Sequence, residues 1–230
     1  MPDLKAICLL SGGLDSATVL AIAKADGCEV ITLTVHYGQL HAKEIESAKT
    51  IARYYDVENI YVEVPFQWGG SALTDKTIEL PKDRDEATMA QDIPVSYVPA
   101  RNTVFLSLAA SVAEARGAER IYIGANAVDY SGYPDCRPEY FDAFQKMIQQ
   151  GTKSGVGGCG VQITTPLIHL TKAQIIEKGL RLKVPYELTW SCYAGTETPC
   201  QACDACILRA KGFKTLGIQD PLLKLPHVKS

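Results

Sequence analysis

The apolar positions of this chain follow two periods that alternate along it. Ile7, Cys8, Leu9 and Leu10 form an unbroken apolar run, the turn Ser11-Gly12-Gly13-Leu14-Asp15-Ser16 follows, and Ala17, Val19, Leu20 and Ile22 then recur at helical spacing. An unbroken run suits a strand covered on both faces, and recurrence at three and four suits a helix, so the stretch reads strand, tight turn, helix. Residues 29–35 (EVITLTV) read as a second strand, 43–55 as a helix with Ile45, Ala48, Ala52 and Tyr55 on one face and Ile51 beside them, and 59–64 as a third strand. The order βαβαβ predicts an α/β fold, a doubly wound and mainly parallel sheet with right-handed crossovers.

The rhythm breaks over 66–95, where Gly69-Gly70, Pro81, Pro94 and the charged run at 82–86 interrupt it. So long a connection reads as a lid or rim over the site, or as disordered surface. Residues 103–116 (TVFLSLAASVAEAR) are apolar on nearly every side and predict a buried helix. A fourth strand is expected at 120–123, and Pro138 opens a helix whose Tyr140, Phe141, Phe144, Met147 and Ile148 share one core stripe. Residues 151–160, with five glycines, read as a flexible loop before a strand at 161–165 and a helix at 172–178 capped by Thr171. A main α/β domain over 1–185, with an insertion at about 66–95, and a small cysteine-bearing region over 186–230 account for the length. No internal repeat is visible.

Composition narrows the partners. With 230 residues, 47% hydrophobic and 21% charged, the chain can bury one full core. Its 23 Lys and Arg against 26 Asp and Glu leave a net charge of −3, which disfavours a phosphate-backbone ligand such as tRNA and favours a small-molecule substrate, with no nucleic-acid partner expected. No apolar run is long enough to span a membrane, and Met1 to Lys5 lead straight into a strand with no room for a signal peptide. The expectation is a cytoplasmic protein with no membrane partner.

The candidate chemistry gathers after strands. Backbone N–H groups at the positive end of a helix suit an anion, most often a phosphate, although two glycines can also simply make a tight turn. Ser11 and Ser16 add hydroxyl donors, and Asp15 adds a carboxylate that a purely structural turn would not need. Neither a Gly-Lys-Ser/Thr ending nor a three-glycine fingerprint is present, so any phosphate is held differently. Arg101 and Asn102 open the helix after Val98-Pro99-Ala100, where a cation opposes the helix dipole; a guanidinium held for a phosphate or carboxylate and a plain surface arginine are both open readings. The loop 124–137 (GANAVDYSGYPDCR) follows the fourth strand at the same carboxyl edge, where ligands of open α/β sheets bind. Its Asp129, Tyr130, Tyr133, Asp135 and Arg137 suit a planar, hydrogen-bonding substrate or are solvated loop.

Eight cysteines fall into two groups. Cys8, Cys28, Cys136 and Cys159 are scattered, as small apolar residues usually are. Cys192, Cys200, Cys203 and Cys206 are spaced C-x7-C-x2-C-x2-C, close enough to surround one tetrahedral metal. A structural zinc fits four sulfur ligands and would brace the chain without catalysing; an iron–sulfur cluster is the rival, lacking the C-x3-C-P continuation. Disulfides are disfavoured in a cytosolic chain.

SGGLDS at 11–16 resembles the pyrophosphate-binding PP-loop of the ATP pyrophosphatases. Taken with YGQLH at 37–41, VPARN at 98–102, GANAVDYSGYPDCRPEY at 124–140, and the four cysteines followed by ILRAKGF at 207–213, the chain resembles the 7-cyano-7-deazaguanine synthase family of queuosine biosynthesis over about residues 5–215. Where that family usually has VPGRN, this chain has Ala100. The resemblance implies a PP-loop, Rossmann-type fold and an ATP-dependent C–N ligase. Its substrates would be 7-carboxy-7-deazaguanine and ammonia, its product the nitrile, its metals magnesium and one structural zinc per chain, and its assembly a homodimer. ATP would be held by Leu10, Ser11, Gly12, Gly13, Leu14, Asp15, Ser16, Tyr37, Gly38 and Gln39. Catalytic roles would fall to Asp15, which would help place magnesium, Ser16 and Arg101. The substrate would meet Asn102, Asp129, Tyr133, Asp135 and Arg137.

Overall fold

The computed structural model describes residues 4–40, 43–89, 92–128 and 132–224. In chain order, β1 (Lys5–Leu9), α1 (Leu14–Ala25), β2 (Glu29–His36), α2 (Lys43–Tyr54) and β3 (Asn59–Glu63) come first. An interposed segment carrying the single-turn α3 (Glu86–Met89) leads to α4 (Arg101–Arg116) and β4 (Arg120–Tyr122). The chain continues through α5 (Pro138–Gly151), α6 (Lys153–Val156), β5 (Gln162–Thr164), α7 (Lys172–Arg181) and α8 (Asp204–Thr215).

All strand pairings are parallel, in the order β3-β2-β1-β4-β5. β1 sits at the centre, and its side chains alternate between two cores. Ala6 and Cys8 pack with Leu20, Ile51, Ile175 and Phe213, while Ile7 and Leu9 pack with Leu106, Ile121, Phe144 and Ile148. Helices α1, α2, α7 and α8 therefore cover one face, and α4 and α5 the other, which is why β1 shows no polar alternation. β2 admits two buried threonines because each hydroxyl finds a carbonyl: Thr32 donates to Glu58 O (2.9 Å) and Thr34 to Leu10 O (2.9 Å).

The strand order reverses at β1. The chain winds outward through β2 and β3, then returns to place β4 on the other side of β1. The loops that leave β1 and β4 thus diverge to opposite faces and open a crevice at their carboxyl ends. Gly124 closes that crevice at the bottom: a Cβ there would lie 3.2 Å from the backbone of Asp15 and Ser16.

Four expectations change. The stripe on α5 loses Met147, which is half exposed at the edge of the arc facing the sheet; Phe141, Phe144 and Ile148 are buried and Tyr140 packs partly buried with them. α4 begins at Arg101 and is buried along one face only, through Leu106, Ala109, Ala110 and Ala113, because its outer side meets solvent. Residues 151–160 are not loop throughout, since α5 runs to Gly151 and α6 follows, with the Thr152 hydroxyl accepting from Gly155 N–H (3.0 Å). The segment 66–95 does not line the crevice with any described residue. Phe66 and Leu73 instead bury against Tyr37 and Val98, and further along Asp83 N–H donates to Ala202 O (2.8 Å) while Arg84 pairs with Asp204.

Candidate active site

β1 delivers its chain into residues 10–13, and α1 starts at Leu14 with no side chain capping it. Its first N–H groups are therefore left facing the crevice, a ready anion site. The loop is braced from within: Ser11 Oγ accepts from Gly13 N–H (3.3 Å) and donates to Ser16 Oγ (3.1 Å), which donates to Gly13 O (3.0 Å). Gly12 has a positive φ of 91°, and a Cβ there would fall 2.1 Å from Glu44 O and 2.7 Å from Ala48 N. Only glycine lets the loop lie this close to the first turn of α2. Gly12 thus shapes the loop from behind and does not line the crevice.

The crevice encloses a cavity of about 270 Å3. Of the residues expected to hold a nucleotide, Leu10, Ser11, Gly13, Leu14, Asp15, Ser16, Tyr37 and Gln39 line it, and Gly38 does not. Asn102 and Tyr133 line it from the other side. Asp135 is buried behind the wall, where its carboxylate accepts from Asn102 N–H (3.1 Å) and its carbonyl accepts from Asn102 Nδ2 (2.9 Å). Burial pushes the Asp135 carboxyl above the ordinary range, against the opposing pull of that N–H and Arg101. Arg137 is exposed at the start of α5, outside the cavity, and Asp129, Tyr130 and His41 lie outside the described residues.

Arg101 enters the cavity from the first residue of α4. Its guanidinium donates to Tyr37 Oη (3.4 Å) and stands 5.6 Å from the centre of that ring. Burial opposes its charge, but Tyr37, Tyr133, Tyr193 and Asp135 outweigh burial and hold its pKa above the ordinary value. Burial pushes the Tyr37 phenol to about 12, so Tyr37 stays neutral. Cys136 also lines the cavity, with a thiol pushed up to about 11 by burial, and is no nucleophile at neutral pH.

Sequence reasoning missed three charged groups that line the cavity, Lys172, Glu44 and Arg209. Lys172, the first residue of α7, donates to both Asp15 oxygens at 2.8 Å. Its signal was present, since a cation at a helix N-terminus is as anomalous at Lys172 as at Arg101. Glu44, on the first turn of α2, is half-buried and lines the cavity. Burial first, then the nearby Cys192, raise its carboxyl to about 7 against the pull of Arg101. Nothing separated it from any other acid in a helix's first turn.

The four cysteines converge. Their sulfurs all lie within 4.8 Å of one another and none is in a disulfide. A tetrahedral zinc with bonds of about 2.3 Å needs sulfur separations of about 3.8 Å, so the set could hold such a metal with small closure. Ala194 and Cys200 N–H groups point at Cys192 Sγ (3.4 and 3.3 Å), and Cys203 N–H at Cys200 Sγ (3.3 Å), dipoles suited to thiolates. The cluster also reaches the phosphate-type loop: Trp190 N–H donates to Gly12 O (2.9 Å), its indole donates to Cys192 O (3.0 Å), and its ring lines the cavity. Buried Arg209 of α8 joins the same wall, paired with Asp220 (2.6 and 2.9 Å) and donating to Thr189, Ser191 and Tyr186 O.

The chain is similar to known proteins over nearly its whole length. Residues 5–217 match the model of the queuosine biosynthesis protein QueC family. The chain is 54% identical over 223 residues to a 7-cyano-7-deazaguanine synthase of Nostoc punctiforme, covering 96% of this chain and 99% of that one. It is 55% identical over 219 residues to a 7-cyano-7-deazaguanine synthase of Thermoplasma acidophilum, covering 95% and 91%. Among solved structures, an NMN synthetase from Francisella tularensis shares the fold with a TM-score of 0.50 at 14% identity, covering 94% of this chain and 78% of that one.

Proposed function

Because the chain belongs to the queuosine biosynthesis protein QueC family, we propose that it is a 7-cyano-7-deazaguanine synthase, an ATP-dependent ligase that turns 7-carboxy-7-deazaguanine and ammonia into the nitrile. The observation that carries this reading is the match over nearly the whole chain, at more than half identity to synthases of that name. A small, closed-bottomed cavity suits a purine-sized substrate better than a nucleic acid, and among the described residues no helix is long and apolar enough to cross a membrane.

A carboxylate resists attack until one oxygen becomes a leaving group, and ATP supplies that activation, first to the acid and then to the amide. The chain's contribution is to bind, orient and neutralise. The N–H groups at the start of α1 and the Ser11 and Ser16 hydroxyls would take the phosphates, with Arg101 meeting an α-phosphate or the substrate carboxylate. Lys172 would turn from Asp15 to the phosphates when they arrive, freeing Asp15 to hold a magnesium ion. Tyr37 and Gln39 would border the nucleotide, Asn102 and Tyr133 the deazapurine. Asp135 is assigned a supporting part, holding Asn102. Asp129 and Arg137 keep the role that the resemblance gives them, contact with the substrate. Cys192, Cys200, Cys203 and Cys206 would hold a structural zinc, and the loop carrying Trp190 would transmit its rigidity to Gly12.

The test is turnover. The purified protein is incubated with ATP, magnesium, ammonium and 7-carboxy-7-deazaguanine, and the deazapurine and nucleotide are followed by mass spectrometry. The nitrile is expected, with AMP and pyrophosphate; ADP and phosphate would keep the reaction and change the activation route. An acid recovered unchanged while ATP is consumed would overturn the reading. The mass of the protein in solution tests the homodimer.

A further inference from the structure

Among the described residues that line the cavity, two carry carboxylates, Asp15 and Glu44. They are in different situations. Both Asp15 oxygens accept from Lys172. No described residue donates a hydrogen bond to the Glu44 carboxylate or pairs with it, and the charged groups that act on it are Arg101 and Cys192. Its backbone is fixed, because the Glu44 carbonyl packs against Gly12, so the side chain stands at a set position beside the phosphate-type loop.

A carboxylate that accepts no hydrogen bond from any described residue is out of place in a cavity proposed to hold a triphosphate and an acid. It repels both, and partial burial makes its charge less favourable than in water. A small cation removes both difficulties. The proposed reaction consumes one: at neutral pH dissolved ammonia is almost entirely ammonium, which has no lone pair to attack with.

Building on the reading above, we propose that Glu44 is the ammonium-binding residue and the base that releases ammonia for attack. Ammonium enters against the Glu44 carboxylate and gives it one proton. The freed lone pair forms the C–N bond at the activated carboxyl carbon, and the activated oxygen leaves with its electron pair on the nucleotide phosphate. The added nitrogen loses a second proton, and Glu44 passes its own to solvent. One ammonium and one activated acid thus give one amide, one leaving group and two protons. A carboxylate lining the cavity beside the phosphate-type loop is placed to take that proton and return it to solvent.

The experiment compares the wild-type protein with Glu44→Gln and Glu44→Asp, titrating ammonium at saturating ATP and 7-carboxy-7-deazaguanine, and repeats it with hydroxylamine, which is unprotonated at neutral pH. For Glu44→Gln, kcat/KM for ammonium is expected to fall on the order of a hundred-fold, the lower range for a positioned base. The KM for ATP should stay within about two-fold, Glu44→Asp should recover part of the loss, and hydroxamate formation should be nearly retained. Equal losses with ammonium and hydroxylamine, or a defect that appears in the ATP KM instead, would overturn the assignment. If the wild-type protein forms neither amide nor nitrile at any ammonium concentration, the proposed function itself fails, an outcome separate from any behaviour of the variants.

Discussion

Ala100 stands in the left-handed region, with φ 56° and ψ 22°, immediately before Arg101. Its carbonyl accepts the first bond of α4 from Val104 N–H (3.1 Å) and its N–H donates to Tyr97 Oη (3.0 Å), so the backbone is held there from both sides. For an L-residue with a Cβ this conformation costs roughly 1–2 kcal/mol. Ala100→Gly removes that strain, while the greater freedom of glycine in the unfolded chain takes back roughly 0.4–1 kcal/mol. Ala100 is exposed, so no buried packing is lost. The net expectation is a stabilisation of about 0.8 kcal/mol, or a rise in Tm of about 2–3 °C for a chain of this size. Scanning calorimetry of the two proteins without ligand reads it directly. Ala100→Val should move the other way, since a β-branched side chain tolerates positive φ less well. A glycine variant that melts lower than the wild type would refute the reasoning, because relief of strain would then be smaller than the entropic loss.

Other perturbations have equally definite signs. Cys203→Ser, or prolonged chelation, should lower Tm and weaken ATP binding together in calorimetric titration, since the Trp190 N–H that holds Gly12 O sits on the cysteine-bearing loop. Lys172→Ala should preserve the circular dichroism spectrum yet reduce ATP turnover on the order of a hundred-fold, the scale of losing one preorganised charge at the phosphates. Arg209→Met should destabilise by about 3–5 kcal/mol in urea titration because Asp220 is left buried without its partner. Adding Asp220→Leu should recover much of that loss.

The strands were legible because the interiors of β1 and β2 are buried on both faces, and a position there must be apolar or, like Thr32 and Thr34, able to satisfy its hydroxyl locally. The start of α7 was legible for a similar reason: the Thr171 cap and its reciprocal bond with Gln174 lie within four residues of each other. Met147 misled because helical spacing alone does not say how wide an arc the sheet covers.

Within the site, the chain's own order determined which segments could meet a phosphate. The loop 10–16 carries its donors in one short stretch, and the cysteines carry their spacing, so both chemistries were readable from neighbours in sequence. Tertiary structure decided the rest. Asp15 meets Lys172 across 157 positions, Gly12 meets Trp190 and the first turn of α2, and Asp135 turns away from the cavity to hold Asn102. Glu44 differs from Glu46 only in where its side of the helix points, and that is set by the packing of α2 on the sheet. Local patterns record what a residue does with its near neighbours; a charge's partner, or its lack of one, depends on which distant segments the parallel sheet brings to the carboxyl ends of β1 and β4.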